Sequence, residues 1–226
     1  MKPIKSPLDL RNRRHDETVG DALRRQGVSR RGFLKFCATT ASLMALPPAM
    51  VPRIAKALES ARRPSVIWMS FQECTGCTES LTRSHAPTVE GLIFDAISLD
   101  YHHTLQVASG HGAEEAREEA QKENFGNYVL VVDGSIPLDN PGYSTIAGIS
   151  NVDMLKEGAE GAAAIIAVGS CSAFGGIPGA DPNPTGAVSV ADIIKEKPID
   201  NFPGCPPIPT VNTGDLPHYM TYGGLP

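Results

Sequence analysis

Two runs of this chain, YVLVVD at 128–133 and AAAIIAVG at 162–169, are apolar almost throughout and do not alternate with polar residues. A strand reads that way when both its faces are buried, as in a parallel sheet covered by helices on either side. Residues 65–71 and 92–99 read as two more such strands, and 199–202 as a weaker fifth. Between them, 78–84, 113–125, 144–160 and 189–195 are expected as helices. No repeat or low-complexity linker divides 58–226, so the expected fold class is α/β, one doubly wound parallel sheet.

The residues before that domain have a different chemistry. Positions 1–35 hold ten basic and four acidic residues, net +6, whereas 36–226 carry −11. A body so acidic is repelled by phosphate backbones, and nucleic acid is not an expected partner. Within the basic head, Ser29-Arg30-Arg31-Gly32-Phe33-Leu34-Lys35 is a twin-arginine motif followed by a mostly apolar stretch over 36–50. Ala55-Lys56-Ala57 then offers an A-x-A cleavage site. The expected organisation is a twin-arginine signal peptide over 1–57 and a domain over 58–226, delivered to the periplasm already folded. Phe36 before Cys37 is not the small residue of a lipoprotein site. No apolar run reaches the eighteen or so residues of a spanning helix. The twin-arginine route carries folded proteins, often loaded with a cofactor, so the leader itself argues for one.

Cleavage after Ala57 leaves Cys74, Cys77, Cys171 and Cys205. Cys74 and Cys77 follow the first strand, Cys171 the fourth and Cys205 the fifth. These are the carboxyl-terminal strand ends of a parallel sheet, the edge at which ligands of open α/β folds bind. Four thiols from three loops suit an iron–sulfur cluster or zinc. A disulfide-stapled exported module and a thioredoxin-like pair at Cys74/Cys77 are the alternatives without a cluster. Spacings of 3, 94 and 34 residues do not match the paired C-x-x-C units of structural zinc sites, which favours iron–sulfur.

The segment Glu73-Cys74-Thr75-Gly76-Cys77-Thr78-Glu79-Ser80 resembles the small subunit of nickel–iron hydrogenases. So, in the same order, do Arg62-Arg63-Pro64-Ser65-Val66, Asp95-Ala96-Ile97-Ser98-Leu99-Asp100-Tyr101-His102 and Val132-Asp133-Gly134-Ser135-Ile136-Pro137. Gly169-Ser170-Cys171 with Gly175-Gly176, and Pro203-Gly204-Cys205-Pro206-Pro207, complete the series. The cluster-bearing subunit of respiratory complex I shares this domain but uses adjacent cysteines where this chain has Cys74 and Cys77.

The resemblance implies a flavodoxin-like domain in which Cys74, Cys77, Cys171 and Cys205 ligate a proximal [4Fe–4S] cluster. It implies a large subunit carrying the nickel–iron centre, where hydrogen is split or formed, and an external electron acceptor such as a cytochrome. Glu73 reads either as a proton-path carboxylate at the subunit interface or as a helix-start carboxylate. His102 is expected to make a structural hydrogen bond. His103 stands where the family often has a carboxylate. Family members continue into a further domain binding two more clusters. No cysteine follows Cys205 here and His218 is the last histidine, so the sequence is expected to be a fragment. Oxygen-tolerant relatives carry extra cysteines at the positions of Gly76 and Gly176, which implies an ordinary one-electron cluster and an enzyme that air inactivates.

Overall fold

The structure, a computed structural model, describes residues 29–43, 46–60, 63–85 and 88–210, with 18, 20 and 21. The basic residues from Lys2 to Arg25, and Arg62 and His218, lie outside these. Five parallel strands form the central sheet: β1 (Ser65–Ser70), β2 (Ser98–His102), β3 (Tyr128–Asp133), β4 (Ala162–Val168) and β5 (Ile199–Phe202). Their order is β2-β1-β3-β4-β5, the flavodoxin-like arrangement. The helices are α1 (Arg30–Leu43), α2 (Val51–Ser60), α3 (Gly76–Thr82), α4 (His111–Glu123), α5 (Asn151–Glu160), α6 (Gly169–Phe174) and α7 (Val190–Ile193).

The unbroken apolar runs divide residue by residue between two cores. Ile67, Met69, Leu130, Val132, Ile165 and Ala167 pack with Ala113 and Ala120 of α4 and Met154, Leu155 and Ala159 of α5. Val66, Trp68, Val129, Val131, Ile166 and Val168 face the other way, against Leu81 of α3 and Leu92 and Ile97. Each full burial of a Val, Leu or Ile contributes about 1.5–3 kcal/mol, so both faces must be covered for the sheet to exist. The buried Arg117 ties α4 to α5, donating from Nε to Glu114 (2.9 Å) and from Nη1 to Gln121 (2.8 Å) and Glu157 (3.2 Å).

Two expected elements are corrected. The second strand is not 92–99: Leu92–Ala96 is a wide helical turn closed by Ile97 N donating to Leu92 O (3.0 Å), and the strand is Ser98–His102. Leu92, Ala96 and Ile97 are buried while Phe94 is 60% exposed, a helical spacing hidden inside an apolar run. The real strand lies on the sheet edge and carries Asp100, which accepts from the hydroxyls of Ser65 (2.6 Å) and Ser98 (2.7 Å). The helix expected over 144–160 begins only at Asn151. Thr145–Ile146 and Ile149–Ser150 pair as a tight hairpin through Ala147 and Gly148, both at positive φ. Ser150 Oγ then caps α5 by accepting from Asp153 N (3.1 Å). The remaining helices lie within about two residues of their expected bounds at the start, a normal margin for helix ends.

Ahead of the sheet, Phe33, Cys37 and Ala41 of α1 pack on Ile54 and Ala55 of α2. The A-x-A triplet 55–57 therefore lies inside α2, which runs on to Ser60. No helix among the described residues is long and apolar enough to cross a membrane.

Candidate functional site

At the carboxyl-terminal edge of the sheet, three loops and the start of α3 line an open cavity. It is lined by Glu73, Cys74, Cys77, Cys171, Cys205 and Pro206, with Gly76, Gly134, Ser170 and Gly204 as backbone floor. All four expected cysteines are thus brought together. Cys37 is elsewhere, fully buried between α1 and α2, where burial pushes its thiol up to about 11. Cys77 comes from α3, Cys171 from α6, and Cys205 from the turn after β5, while Cys74 sits just before α3.

Small residues make room for the sulfurs. A Cβ on Gly169, whose φ is +88, would lie 2.5 Å from Cys77 Sγ. One on Gly176 would lie 2.6 Å from Cys171 Sγ, and one on Gly76 3.2 Å from Cys74 Sγ. Gly76 and Gly176 thus both stand directly against the cavity's own sulfurs.

Burial, then Asp133 and the neighbouring Cys171 and Cys74 thiols, push the Cys77 thiol up to about 12. Cys171 is raised by burial and by Cys205 and Cys74. A bound cation that replaces the protons of Cys77 and Cys171 offsets both the burial and the repulsion. Donor set, cavity and glycine cradle together fit a thiolate-bound iron–sulfur group.

Around the thiols lies a layer of buried polar groups. Burial raises Glu73; its Oε1 accepts from Thr75 Oγ1 (3.3 Å), and its Oε2 is buried with no partner among the described residues. Asp133, at the end of β3, is fully buried and is pushed up to about 7, mainly by burial and in part by Glu73. Ser70 Oγ and Trp68 Nε1 face it and draw its pKa down, but neither reaches hydrogen-bond geometry. Asp133 occurs in the motif at 132–137, and sequence reasoning assigns it no role; an acidic residue ending an otherwise apolar strand is the signal that could have found it.

His102 Nδ1 accepts from Thr104 N (3.1 Å) and Leu105 N (3.3 Å), a structural role, and its ring stacks on Trp68 at 5.0 Å. His103 Nδ1 accepts from Ser70 N (2.8 Å). Burial, and then His103, lower His102 to about 4. The unfolded chain therefore binds more protons than the folded one between about pH 4 and the ordinary His value of about 6.5. The stability this group contributes is complete above that value and is lost as the pH falls. His102→Asn keeps an acceptor for the turn and removes the titration. Wild type should lose about 3 kcal/mol relative to that variant between pH 7 and pH 4, read from paired urea unfolding curves. Parallel curves at the two pH values would refute the assignment.

A family model described as "NADH ubiquinone oxidoreductase, 20 Kd subunit" matches residues 74–218. The Hydrogenase-2 small chain of Escherichia coli (strain K12) is 50% identical over 201 residues, 88% of this chain and 54% of that protein. The uptake hydrogenase small subunit of Azotobacter vinelandii is 45% identical over 211 residues, 93% of this chain and 59% of that protein. The chain thus spans little more than half the length of these curated relatives. Among solved structures, the reduced, active form of the Ni-Fe-Se hydrogenase from Desulfomicrobium baculatum superposes with a TM-score of 0.70 at 34% identity. That match covers 73% of this chain and 66% of the other. With five parallel strands in flavodoxin-like order and four cysteines at one sheet edge, the chain belongs to the family of the NADH ubiquinone oxidoreductase 20 Kd subunit, among the small subunits of nickel–iron hydrogenases.

Proposed function

We propose that this chain is the electron-transfer subunit of a two-subunit hydrogenase, moving electrons between a nickel–iron site in a large subunit and an external acceptor such as a cytochrome. The convergence of Cys74, Cys77, Cys171 and Cys205 on one cavity carries the reading. These four are the proposed ligands of a proximal [4Fe–4S] cluster, which when bound supplies a reversible one-electron store. The chain's own part is to hold four thiolates in place, to keep side chains off their sulfurs through Gly76, Gly169 and Gly176, and to surround them with buried polar groups. Glu73, at the cavity wall with one oxygen unpartnered among the described residues, is the proposed proton-handling carboxylate. Phe174, Ile177 and Ile208, each more than 60% exposed beside the Cys171 and Cys205 loops, support docking of a large subunit over the cavity.

The test is iron and sulfide analysis of the purified two-subunit complex, with visible spectra under argon and under hydrogen. About four iron atoms for this domain, and absorbance near 400 nm (roughly, the thiolate-to-iron band) that bleaches under hydrogen, are expected. A colourless, iron-free complex would sink the reading.

Export by the twin-arginine route to the periplasm, with removal of 1–57, is part of the same proposal. Arg30 and Arg31 are exposed in the first turn of α1, and Ser29 Oγ accepts from Gly32 N (3.1 Å). The paired guanidinium forks are what a receptor would read, and lysine does not reproduce them. Replacing both arginines by lysine should leave the precursor uncleaved in the cytoplasm, as judged by cell fractionation and immunoblotting. Undiminished periplasmic protein in that variant would count against the route.

A further inference from the structure

We infer that Ser170 and Ser80 are positioning residues that clamp the Cys205 loop to the elements carrying the other three cysteines; this rests on the proposed ligand role of Cys205. Cys205 is exposed and lies in an irregular turn after the edge strand β5, so neither helix nor sheet bonds hold it. What holds it is a pair of serines. Ser170 N donates to Gly204 O (2.8 Å), and Gly204 N donates to Ser170 Oγ (3.1 Å), closing a two-bond ring immediately before Cys205. On the other side, Ser80 Oγ donates to Pro207 O (2.5 Å), and Ser80 is only 3% exposed.

Each serine belongs to a ligand-bearing element. Ser170 adjoins Cys171 at the start of α6, and Ser80 lies one helical turn beyond Cys77 in α3. The turn they grip is itself tight. Gly204 has φ +150, and a Cβ there would lie 2.5 Å from Pro207 Cα, so the turn closes on itself between the two clamped points. The fourth sulfur is therefore registered to the other three by three hydrogen bonds flanking it at positions −1 and +2. Neither hydroxyl stands out in the sequence, since serine next to cysteine carries no signal of what it bonds.

Ser170→Ala removes the acceptor for Gly204 N, and Ser80→Ala removes the donor to Pro207 O. The experiment uses the purified two-subunit complex under argon and follows transfer of iron to the chelator ferrozine, together with the EPR g values and midpoint potential of the reduced cluster. Hydrogen exchange at the Gly204 amide is measured in the same samples. Ser170→Ala should exchange Gly204 faster and release iron roughly tenfold faster, the order expected for one unmade half-buried hydrogen bond. Its g values should shift, Ser170→Thr should restore both readouts, and Ser80→Ala should also speed iron release.

Ser150→Ala is the control. It loses the cap of α5, a helix that carries none of the four cysteines and does not line the cavity, and should lower the melting temperature with iron release unchanged. Wild-type iron release and g values in both alanine variants would overturn the clamp. So would equal acceleration by Ser150→Ala, or failure of threonine to rescue. A wild-type complex without iron would sink the proposed function. The clamp itself would then be judged by Gly204 exchange, where an unchanged rate in Ser170→Ala refutes it.

Discussion

Replacing Cys171 with serine should strip the domain of the proposed iron–sulfur group, and Cys205→Ser should do the same or leave a cluster short of one iron. A hydroxyl does not ionise under the conditions in which a thiol beside a metal does, and three remaining thiolates cannot complete a four-ligand set. The effect on this cluster should be close to total: absorbance at roughly 400 nm drops and the complex loses about four iron atoms in Cys171→Ser. Cys37→Ser is the internal control. That sulfur is buried between α1 and α2, away from the cavity, and its replacement should leave spectrum and iron intact. A Cys171→Ser complex with wild-type iron and spectrum would remove the basis of the ligand assignment.

A single added methyl group should be almost as damaging. In Gly169→Ala the new Cβ would sit 2.5 Å from Cys77 Sγ, far inside contact distance, at a φ of +88 that alanine adopts only under strain. The two penalties separate cleanly by comparison with Gly148→Ala. Gly148 has nearly the same φ, +83, but a Cβ there meets nothing within 4 Å. Gly148→Ala should cost about 1 kcal/mol of stability and keep full iron. Gly169→Ala should cost as much stability and also lose most of its iron, by about tenfold in occupancy if the clash is worth the same again. Equal iron in the two variants would mean that the cavity relaxes around the methyl group and that Gly169 serves only the backbone.

Particular elements differ in how legible they are in one dimension. The strands at 128–133 and 162–168 are plain because a strand buried on both faces leaves no room for polar residues. The second strand is hidden because an edge strand is under no such constraint. Ser98–His102 tolerates Asp100, and the more apolar stretch before it is a helical turn whose buried Leu92, Ala96 and Ile97 only look strand-like in the sequence. The hairpin before α5 reads as helix by apolar content, although Gly148 and the Ser150/Asp153 cap mark the boundary. There the local turn chemistry overrides the apolar periodicity, and both signals are present in the residues themselves.

Chain order and residue type alone determined that four cysteines follow three strands, and a parallel sheet puts such positions on one edge. That is a topological consequence and needs no coordinates. Whether the sulfurs share a single cavity depends on how far each loop extends beyond its strand, and that is decided by contacts between segments distant in sequence. Ser170 meeting Gly204 across 34 residues and Ser80 meeting Pro207 across 127 are such contacts, as is the fit of Gly169 beneath Cys77. The raised pKa of Asp133 belongs to the same class, since it arises from burial in the packed chain and then from Glu73, sixty residues away in sequence. A sequence specifies donors, acceptors and periodicity, whereas desolvation and hydrogen-bond partnership between separated segments exist only once the chain has packed. The thiols are therefore written in the sequence, and the clamp that aims one of them exists only in the fold.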